Sequence, residues 1–388
     1  MDLALTPAQD LLVGTARDVL AKRWPPERAQ QLALDPVGFD AELWAELARL
    51  GWPGILVPAG WGGSGGTVED VVLLAEEMGR ACLGGPFVPS AVVATGLVLA
   101  AGPEARRDDL LPALALGDRI AALALVEESA SFDPGAVTLG GAVGGRLSGR
   151  KLFVPHAHVA HDLVVATRGD GGINLFVVDA RRPGVTVEPM PTMSGDRPCA
   201  VTFSGVPLDG GRLLGEPGRG ETPLRRALEL GALARAAEMV GAARRILDLA
   251  VEHARVRVQN GRPIGSYQAV QHAAADMLRD VETARWLVYE AAWRVQAEVA
   301  PAAAIALAKA HAGAACLRVA RRGHQILGAI GYCEEHPLHL LHKRIHAASL
   351  DMGDAGHHLE VVARALGLGG GAPAADGPDR PARLAGPC

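Results

Sequence analysis

Apolar residues recur at three- and four-residue intervals near the start of the chain, which is the spacing of an amphipathic helix. Thr6 can cap such a helix, Pro7 suits its first position, and Gln9 completes a capping box ahead of the first apolar stripe. The pattern predicts helices at about 7–23, 39–50, 68–80 and 90–101. We therefore expect residues 1–119 to form an N-terminal α-helical domain.

Between residues 120 and 217 the pattern changes to short apolar runs interrupted by glycine and proline. These runs alternate Val, Leu and Phe with polar residues, as half-buried strands do. The predicted strands include 120–126, 152–154, 163–166, 175–178, 185–187 and 201–203. Several short strands at this spacing predict a middle β domain, either a small barrel or a sandwich.

Helical periodicity returns after residue 218 in four alanine-rich segments. They predict helices at 223–256, 267–297, 302–327 and 337–365, which would form a C-terminal four-helix bundle over residues 218–366. The last segment, 367–388, is rich in glycine, proline and alanine, and we expect a disordered tail there. The predicted fold class is an α+β multi-domain protein with helical, β and four-helix units in that order.

The composition limits the kind of protein. The chain has 388 residues, of which 49% are hydrophobic and 21% are charged, so it can bury a substantial core. A net charge of −5 without a Lys/Arg block argues against nucleic acids and membrane surfaces as partners. Five scattered cysteines without C-x-x-C spacing indicate neither a disulfide framework nor a zinc site. The N-terminus lacks a signal peptide pattern, and no uninterrupted apolar segment reaches about 18 residues, so we expect a cytoplasmic protein.

A polar loop interrupts the helical pattern between residues 256 and 267, because Gly261 and Pro263 fit poorly inside a helix. Arg257 lies at the end of the preceding helix, and Gln268 opens the next one. A guanidinium fixed in this way can donate two charge-assisted hydrogen bonds to an anion such as a diphosphate. The alternative is an ordinary helix-loop-helix corner with a surface arginine.

This loop resembles the signature of the acyl-CoA dehydrogenase family, R-x-x-F-G-x-P-I followed by Q-x-x-Q-x-x-x-A-D-M, with Asn260 in place of the aromatic residue. Residues 325–332 likewise resemble the Q-I-x-G-G-x-G-Y turn of that family. The order of helical, β and four-helix units is also the layout of its fold, so the resemblance covers almost the whole chain except the tail. It implies contacts with the nucleotide end of an FAD held by a neighbouring subunit, made by Arg257, Gln268, Gln325, Gly328 and Ala329.

The half of the resemblance that concerns the flavin ring is less complete. Where the family has T-E-P-x-A-G-S-D, this chain has Val126 in place of the threonine and Phe132 in place of the serine. The W-I-T strand is Phe153-Val154-Pro155, in which proline has no backbone N–H. The resemblance places Val126, Phe153 and Pro155 against the ring, where the lost hydroxyl and N–H weaken its binding.

The catalytic base of the family also lacks a counterpart. Dehydrogenation of a thioester needs a carboxylate to take the α-proton while hydride leaves the β-carbon. The position of the family's E-G-T glutamate holds Met352, and an alternative position on an earlier helix holds Gly231. The nearest carboxylates are displaced by one or more residues, and each residue of displacement rotates a helical side chain by about 100°. These candidates for the base are Glu229, Asp351 and Asp354.

Two sets of histidines raise the question of a metal site. The first set follows a strand and the second recurs at helical spacing: His156, His158 and His161, then His336, His339, His342 and His346. A metal site needs three or four converging ligands. A packed or solvated helix face explains the same spacing, and we predict no metal.

We expect one subunit of a hetero-oligomeric, FAD-dependent acyl-CoA dehydrogenase that lacks its own catalytic base. The resemblance implies an FAD shared with a second acyl-CoA dehydrogenase-like chain in a hetero- or homotetramer. It also implies an acyl-CoA substrate from fatty acid or sterol side-chain oxidation, and an electron-transfer flavoprotein or similar acceptor. Three alternatives stay open: a homo-oligomeric dehydrogenase with a displaced carboxylate, a flavin monooxygenase, and a non-enzymatic relative of the same fold.

Overall fold

The computed structural model describes residues 4–368 and begins with a helical unit. Its helices are α1 (Pro7–Arg23), α2 (Pro26–Leu34), α3 (Ala41–Arg49), α4 (Val68–Arg80), a π-helical segment (Phe87–Ala94) that continues into α5 (Thr95–Ala101), and α6 (Glu104–Ala115). The capping box at Thr6 is confirmed. The Thr6 N–H donates to the side-chain oxygen of Gln9, and the Thr6 hydroxyl accepts the Gln9 N–H. Helices α2 and α6 were not expected from the sequence, and the other four lie close to their predicted positions.

Two separate sheets follow the helical unit. Their strands are β1 (Ala121–Ala124), β2 (Arg146–Pro155), β3 (Asp162–Gly169), β4 (Gly172–Asp179), β5 (Val185–Pro189), β6 (Pro198–Pro207) and β7 (Leu213–Leu214). One sheet has the order β1-β3-β4-β7, with β1 parallel to β3, and the other has the order β2-β6-β5. The sheets do not close on each other, so the barrel form of the sequence prediction is wrong and two open sheets form instead.

The third unit is helical, as predicted. It contains α7 (Glu221–Val256), a hairpin of β8 (Val258–Gln259) and β9 (Arg262–Pro263), α8 (Gln268–Gln296), α9 (Pro301–Leu327), α10 (Leu338–Leu350) and α11 (Ala355–Ala365). The single helix predicted for 337–365 is wrong, because the chain breaks at residues 351–354. Met352 has φ 58° and Gly353 has φ 100°, which a right-handed helix cannot contain. Asp354 then caps α11 by accepting the His357 N–H at 2.8 Å.

The first and third units pack directly on each other through α4 and α7. Gly79 on α4 and Gly241 on α7 lie where a Cβ would overlap the backbone of the facing helix. The turn at Met352 lies beside the π-helical segment and the sheets, since Met352 lines one cavity together with Pro89, Val93 and Leu123. The predicted domain limits at 119, 217 and 366 remain predictions, and the predicted tail lies outside the described residues apart from Gly367 and Leu368.

One helix in the described part of the chain, 301–332, is long and apolar enough to cross a membrane by length and composition alone. Of its most apolar stretch, 56% is buried inside the protein, as in the central helix of a bundle. Helix α9 packs against α7, α8, α10 and α11.

Candidate active site and nucleotide-binding surface

The hairpin after α7 presents Arg257. Asn260 and Gly261 both adopt left-handed backbone conformations, with φ 50° and 79°, as two-residue hairpin turns require. Asparagine tolerates this conformation better than an aromatic residue does, which explains the departure from the family signature at position 260. The Ile264 N–H donates to the Arg257 carbonyl at 2.8 Å and closes the hairpin. The arginine therefore projects from a fixed backbone.

The Arg257 side chain is exposed and has no acidic partner within residues 4–368. Gln268 and Gln325 are also exposed, and their side chains make no hydrogen bond within the described part of the chain. Gly328 has φ 64° with open space around its Cα, and Ala329 beside it is exposed. Such unsatisfied donors and an open backbone turn are available to a ligand or to a second chain.

The Arg257 hairpin and the Gly328 turn lie at the same end of the helical unit. His253, one turn before Arg257, is close enough to His336 to contribute to lowering its pKa, although burial is the larger cause. The His324 ring at the end of α9 stacks with that of Tyr332, with ring centroids 4.5 Å apart. The ends of α7 and α9, which carry Arg257 and Gly328, therefore lie at the same end of the helical unit, as the contact of Gly323 with Ile246 also indicates.

The two positions where the family has its base meet in the structure. Met352 is 6% exposed, and a Cβ placed on Gly231 would lie 3.4 Å from both its Sδ and its Cε. A thioether and a glycine hydrogen therefore occupy the two positions that the resemblance assigns to the base. Neither group accepts a proton at physiological pH.

Each of the three candidate carboxylates has a different environment. Asp351 Oδ2 accepts from Arg235 Nε at 2.8 Å, and its Oδ1 accepts the Met352 N–H at 3.0 Å. Asp354 is exposed and engaged as the cap of α11. Glu229 is half-buried, and burial raises its pKa. Glu229 also lines a cavity of about 80 Å³ together with Met352.

Two cavities of very different size border the positions expected to face the flavin ring, and the smaller one is the cavity that reaches Val126. Val126 is buried, and its carbonyl already accepts the Leu152 N–H at 2.8 Å. The cavity that Val126 shares with Phe153, Pro155 and Met352 has a volume of about 20 Å³. A single water needs roughly 10–15 Å³ on this scale. A three-ring flavin does not fit there, and the apolar lining offers no substitute for the lost hydroxyl and N–H.

A larger cavity of about 470 Å³ lies on the outer side of Phe153 and Pro155. It extends between β2 and α10, and Met193 and Leu350 contribute exposed apolar side chains to its lining. Phe132 lines both cavities. The larger cavity therefore has room for an aromatic ring system next to the sheets, but this cavity does not extend to Val126.

Buried ion pairs line this larger cavity. Arg235 binds Glu238 Oε2 at 2.7 Å as well as Asp351, and Arg344 binds Asp196 Oδ1 at 3.1 Å. Burial alone would raise the pKa of Asp196, yet the two arginines lower it to about 2. These charges were missed in the sequence, where the only signal is an arginine within the apolar stretch of α7.

The histidines do not converge. Among residues 4–368 no group of three His, Cys, Asp or Glu side chains is placed to hold a metal. The rings of His156 and His158 are 6.1 Å apart, and His161 Nδ1 accepts the Ile120 N–H at 3.1 Å. In the helical set, the His342 ring packs against that of His324 at 5.0 Å.

The order of units and the exposed arginine hairpin agree with the resemblance seen in the sequence, and comparison with family models supports it. The acyl-CoA dehydrogenase N-terminal domain matches residues 6–118, and the acyl-CoA dehydrogenase C-terminal domain matches residues 218–367. The chain belongs to the acyl-CoA dehydrogenase family. Members are FAD-dependent oxidoreductases that act on the CH–CH bond of acyl-CoA.

Three relatives show the range of the family around this chain. The short-chain specific acyl-CoA dehydrogenase of Megasphaera elsdenii is 30% identical over 87% of this chain and 92% of its own length. The caffeyl-CoA reductase-Etf complex subunit CarC of Acetobacterium woodii is 29% identical over 79% and 84%. A chain of the ChsE4-ChsE5 complex from Mycobacterium tuberculosis is 30% identical and superposes with a TM-score of 0.86 over 95% of this chain and 99% of that one.

Proposed function

We propose that this chain is one subunit of a heteromeric, FAD-dependent acyl-CoA dehydrogenase and does not supply the catalytic base. The observation that carries the proposal is the contact between Met352 and Gly231, which leaves both base positions without a carboxylate. The partner is a second chain of this family with a glutamate at the position of Met352. That partner provides the ring site and removes the α-proton of the acyl-CoA.

This chain contributes the surface for the nucleotide end of the shared FAD. Arg257 would hold the diphosphate by donating hydrogen bonds from two of its guanidinium N–H groups. Gln325 offers an amide and Gly328 an open backbone turn, which has no Cβ to hold the nucleotide away. When bound, FAD accepts the hydride from the β-carbon of the substrate.

The small size of the cavity beside Val126 supports the same assignment of roles to the two chains. The cavity of about 20 Å³ between Val126, Pro155 and Met352 does not accept the ring, whereas the side chains of Arg257, Gln268 and Gln325 are exposed and have no salt bridge or hydrogen bond within residues 4–368. The relatives CarC and ChsE4-ChsE5 are named as parts of complexes. By this analogy we assign an acyl-CoA substrate from fatty acid or sterol side-chain breakdown and an electron-transfer flavoprotein as acceptor.

The test compares two neighbouring arginines in the assembled complex. The chain is co-expressed with a family member that carries the glutamate, and the FAD retained per complex is measured for wild type, Arg257→Ala and Arg255→Ala. Loss of a charge-assisted contact of about 1.5–3 kcal/mol weakens FAD binding by roughly 10- to 150-fold for Arg257→Ala. Arg255 is equally exposed but lies outside the signature, so its variant should match wild type.

A complex that keeps full FAD affinity in Arg257→Ala would contradict the assignment of this surface. Equal losses of FAD affinity in Arg257→Ala and Arg255→Ala would also contradict it, because they would indicate that any nearby positive charge attracts the nucleotide.

A homo-oligomeric dehydrogenase with a displaced base is the second candidate, and the position of Glu229 favours it. This glutamate is half-buried, burial raises its pKa, and it lines a cavity together with Met352. A raised pKa suits a carboxylate that exchanges protons near neutral pH. If this candidate is right, the lone chain oxidises acyl-CoA and Glu229→Gln abolishes the reaction. If the heteromeric proposal is right, the lone chain has no turnover for the substitution to remove.

A further inference from the structure

Phe132 occupies the junction of three cavities. It lines the outer cavity of about 470 Å³, the cavity of about 20 Å³ beside Val126, and the cavity of about 80 Å³ beside Glu229. Within the described range 4–368, no other residue lines all three of these cavities. Its phenyl ring therefore separates spaces that would otherwise join in front of the sheets.

The loop that carries Phe132 is held at its first end by Glu127. The Glu127 carboxylate accepts the Leu139 N–H at 3.0 Å, the Lys151 ammonium at 2.7 Å, and both the N–H and the hydroxyl of Thr138. Burial alone would raise the pKa of Glu127, but these donors lower it to about 2. The carboxylate is therefore charged and fully engaged at neutral pH.

The second end of the loop is tied to α7. Asp133, next to Phe132, pairs with Arg225 at 3.1 Å and also accepts the Gly135 N–H at 3.0 Å. The Ser131 hydroxyl accepts the Asp133 N–H at 3.1 Å. With both ends anchored, the phenyl ring stays at the junction of the cavities and does not swing out as a gate.

We propose that Phe132 is the residue that excludes the flavin ring from this chain's own sheet unit. This inference rests on the proposed function, because it explains why the chain contributes to an FAD without seating the ring. Pro155 and Val126 only remove hydrogen bonds from the ring, whereas the phenyl ring lies between the outer cavity and the one beside Val126, so it blocks the path by which a flavin ring in the outer cavity would reach Val126. A side chain that blocks the ring does so regardless of the hydrogen bonds that remain available to it. Phe132 therefore weakens binding of the flavin ring more than Pro155 or Val126 does.

The test uses the purified full chain and two probes that separate the parts of FAD. Riboflavin carries the ring without the diphosphate, and ADP carries the nucleotide end without the ring. Binding of each is measured by calorimetry, with quenching of flavin fluorescence as a second readout for riboflavin. The variants are Phe132→Ser, which removes the phenyl ring, and Phe132→Tyr, which adds a hydroxyl but keeps the ring.

Phe132→Ser should bind riboflavin at least about tenfold more tightly than wild type, while Phe132→Tyr should match wild type. ADP binding should be unchanged in both variants, because the Arg257 surface lies elsewhere. A folded Phe132→Ser protein that binds riboflavin no better than wild type would overturn the proposal. A wild-type chain that already binds riboflavin as tightly as the serine variant would overturn it equally.

If Phe132→Ser does not fold cooperatively, Phe132→Val removes the aromatic ring and keeps an apolar contact, and the same comparison applies. The two probes also separate this inference from the proposed function. Absence of ADP binding counts against the shared nucleotide surface but leaves the riboflavin comparison between variants valid.

Discussion

Replacing Arg235 by methionine tests how the turn at Met352 is held. Arg235 is 7% exposed and bridges Glu238 on its own helix to Asp351 at the end of α10. Methionine preserves much of the side-chain volume but leaves Glu238, which is 8% exposed, without its partner. Removing one member of a buried ion pair typically costs about 3–5 kcal/mol.

For a helical unit of this size that loss corresponds to a fall in melting temperature of roughly 10 °C, measured by circular dichroism. Arg294→Met is the matched control, because Arg294 lies on the surface of α8 and pairs with Glu290 one turn away. Exposed pairs of this kind contribute about 0.3–0.5 kcal/mol. The double variant Arg235→Met/Glu238→Gln should recover part of the loss, since the buried negative charge is gone.

The reasoning is refuted if Arg235→Met unfolds within about 2 °C of Arg294→Met. It is also refuted if the double variant is no more stable than Arg235→Met, because the cost would then not come from an unpaired carboxylate.

Two further predictions concern buried charges near the same turn. The pKa of Asp196 is lowered from 3.8 to about 2, so its charged form stabilises the native state above pH 3.8. This contribution of roughly 2 kcal/mol is lost as the pH falls towards 2. The free energy of unfolding of Asp196→Asn should therefore show a weaker pH dependence than wild type between pH 4 and 2, and parallel curves would contradict this assignment. Lys309 is 1% exposed and donates to the carbonyls of Ser349 at 3.1 Å and Gly353 at 2.9 Å. Lys309→Met leaves both carbonyls without this donor and should cost about 1–3 kcal/mol by urea unfolding, whereas an unchanged midpoint would show that the ammonium contributes nothing net.

Helix periodicity in the sequence was sufficient to predict α1, α4, α7, α8 and α9, because each buries apolar residues at helical spacing over two or more turns. The break at residues 351–354 was missed. Methionine rarely adopts a left-handed backbone, as Met352 does here, and in the sequence only Gly353 indicates a turn. The turn forms because tertiary contacts hold it: Arg235 binds Asp351, and Lys309 binds the carbonyls on either side. Such contacts join residues far apart in the chain and leave no local pattern.

The candidate site was predictable where a motif carries the chemistry. Counting along the chain predicts Met352 and Gly231 as the two base positions, and in the structure a Cβ added to Gly231 would lie 3.4 Å from the Met352 side chain. The substitution at Phe132 was also visible in the sequence, but its place at the junction of three cavities was not. Cavity shape depends on how the sheets meet α7 and α10, which strand spacing alone does not reveal.

The flavin content and turnover of the chain purified alone test the central claim most directly. The protein is isolated without a partner, its FAD per chain is determined from the visible absorption spectrum, and acyl-CoA oxidation is followed with an artificial electron acceptor. We expect less than stoichiometric FAD and no turnover, with both restored on adding a family member that carries the glutamate. One FAD per chain together with acyl-CoA oxidation by the lone protein would contradict the account.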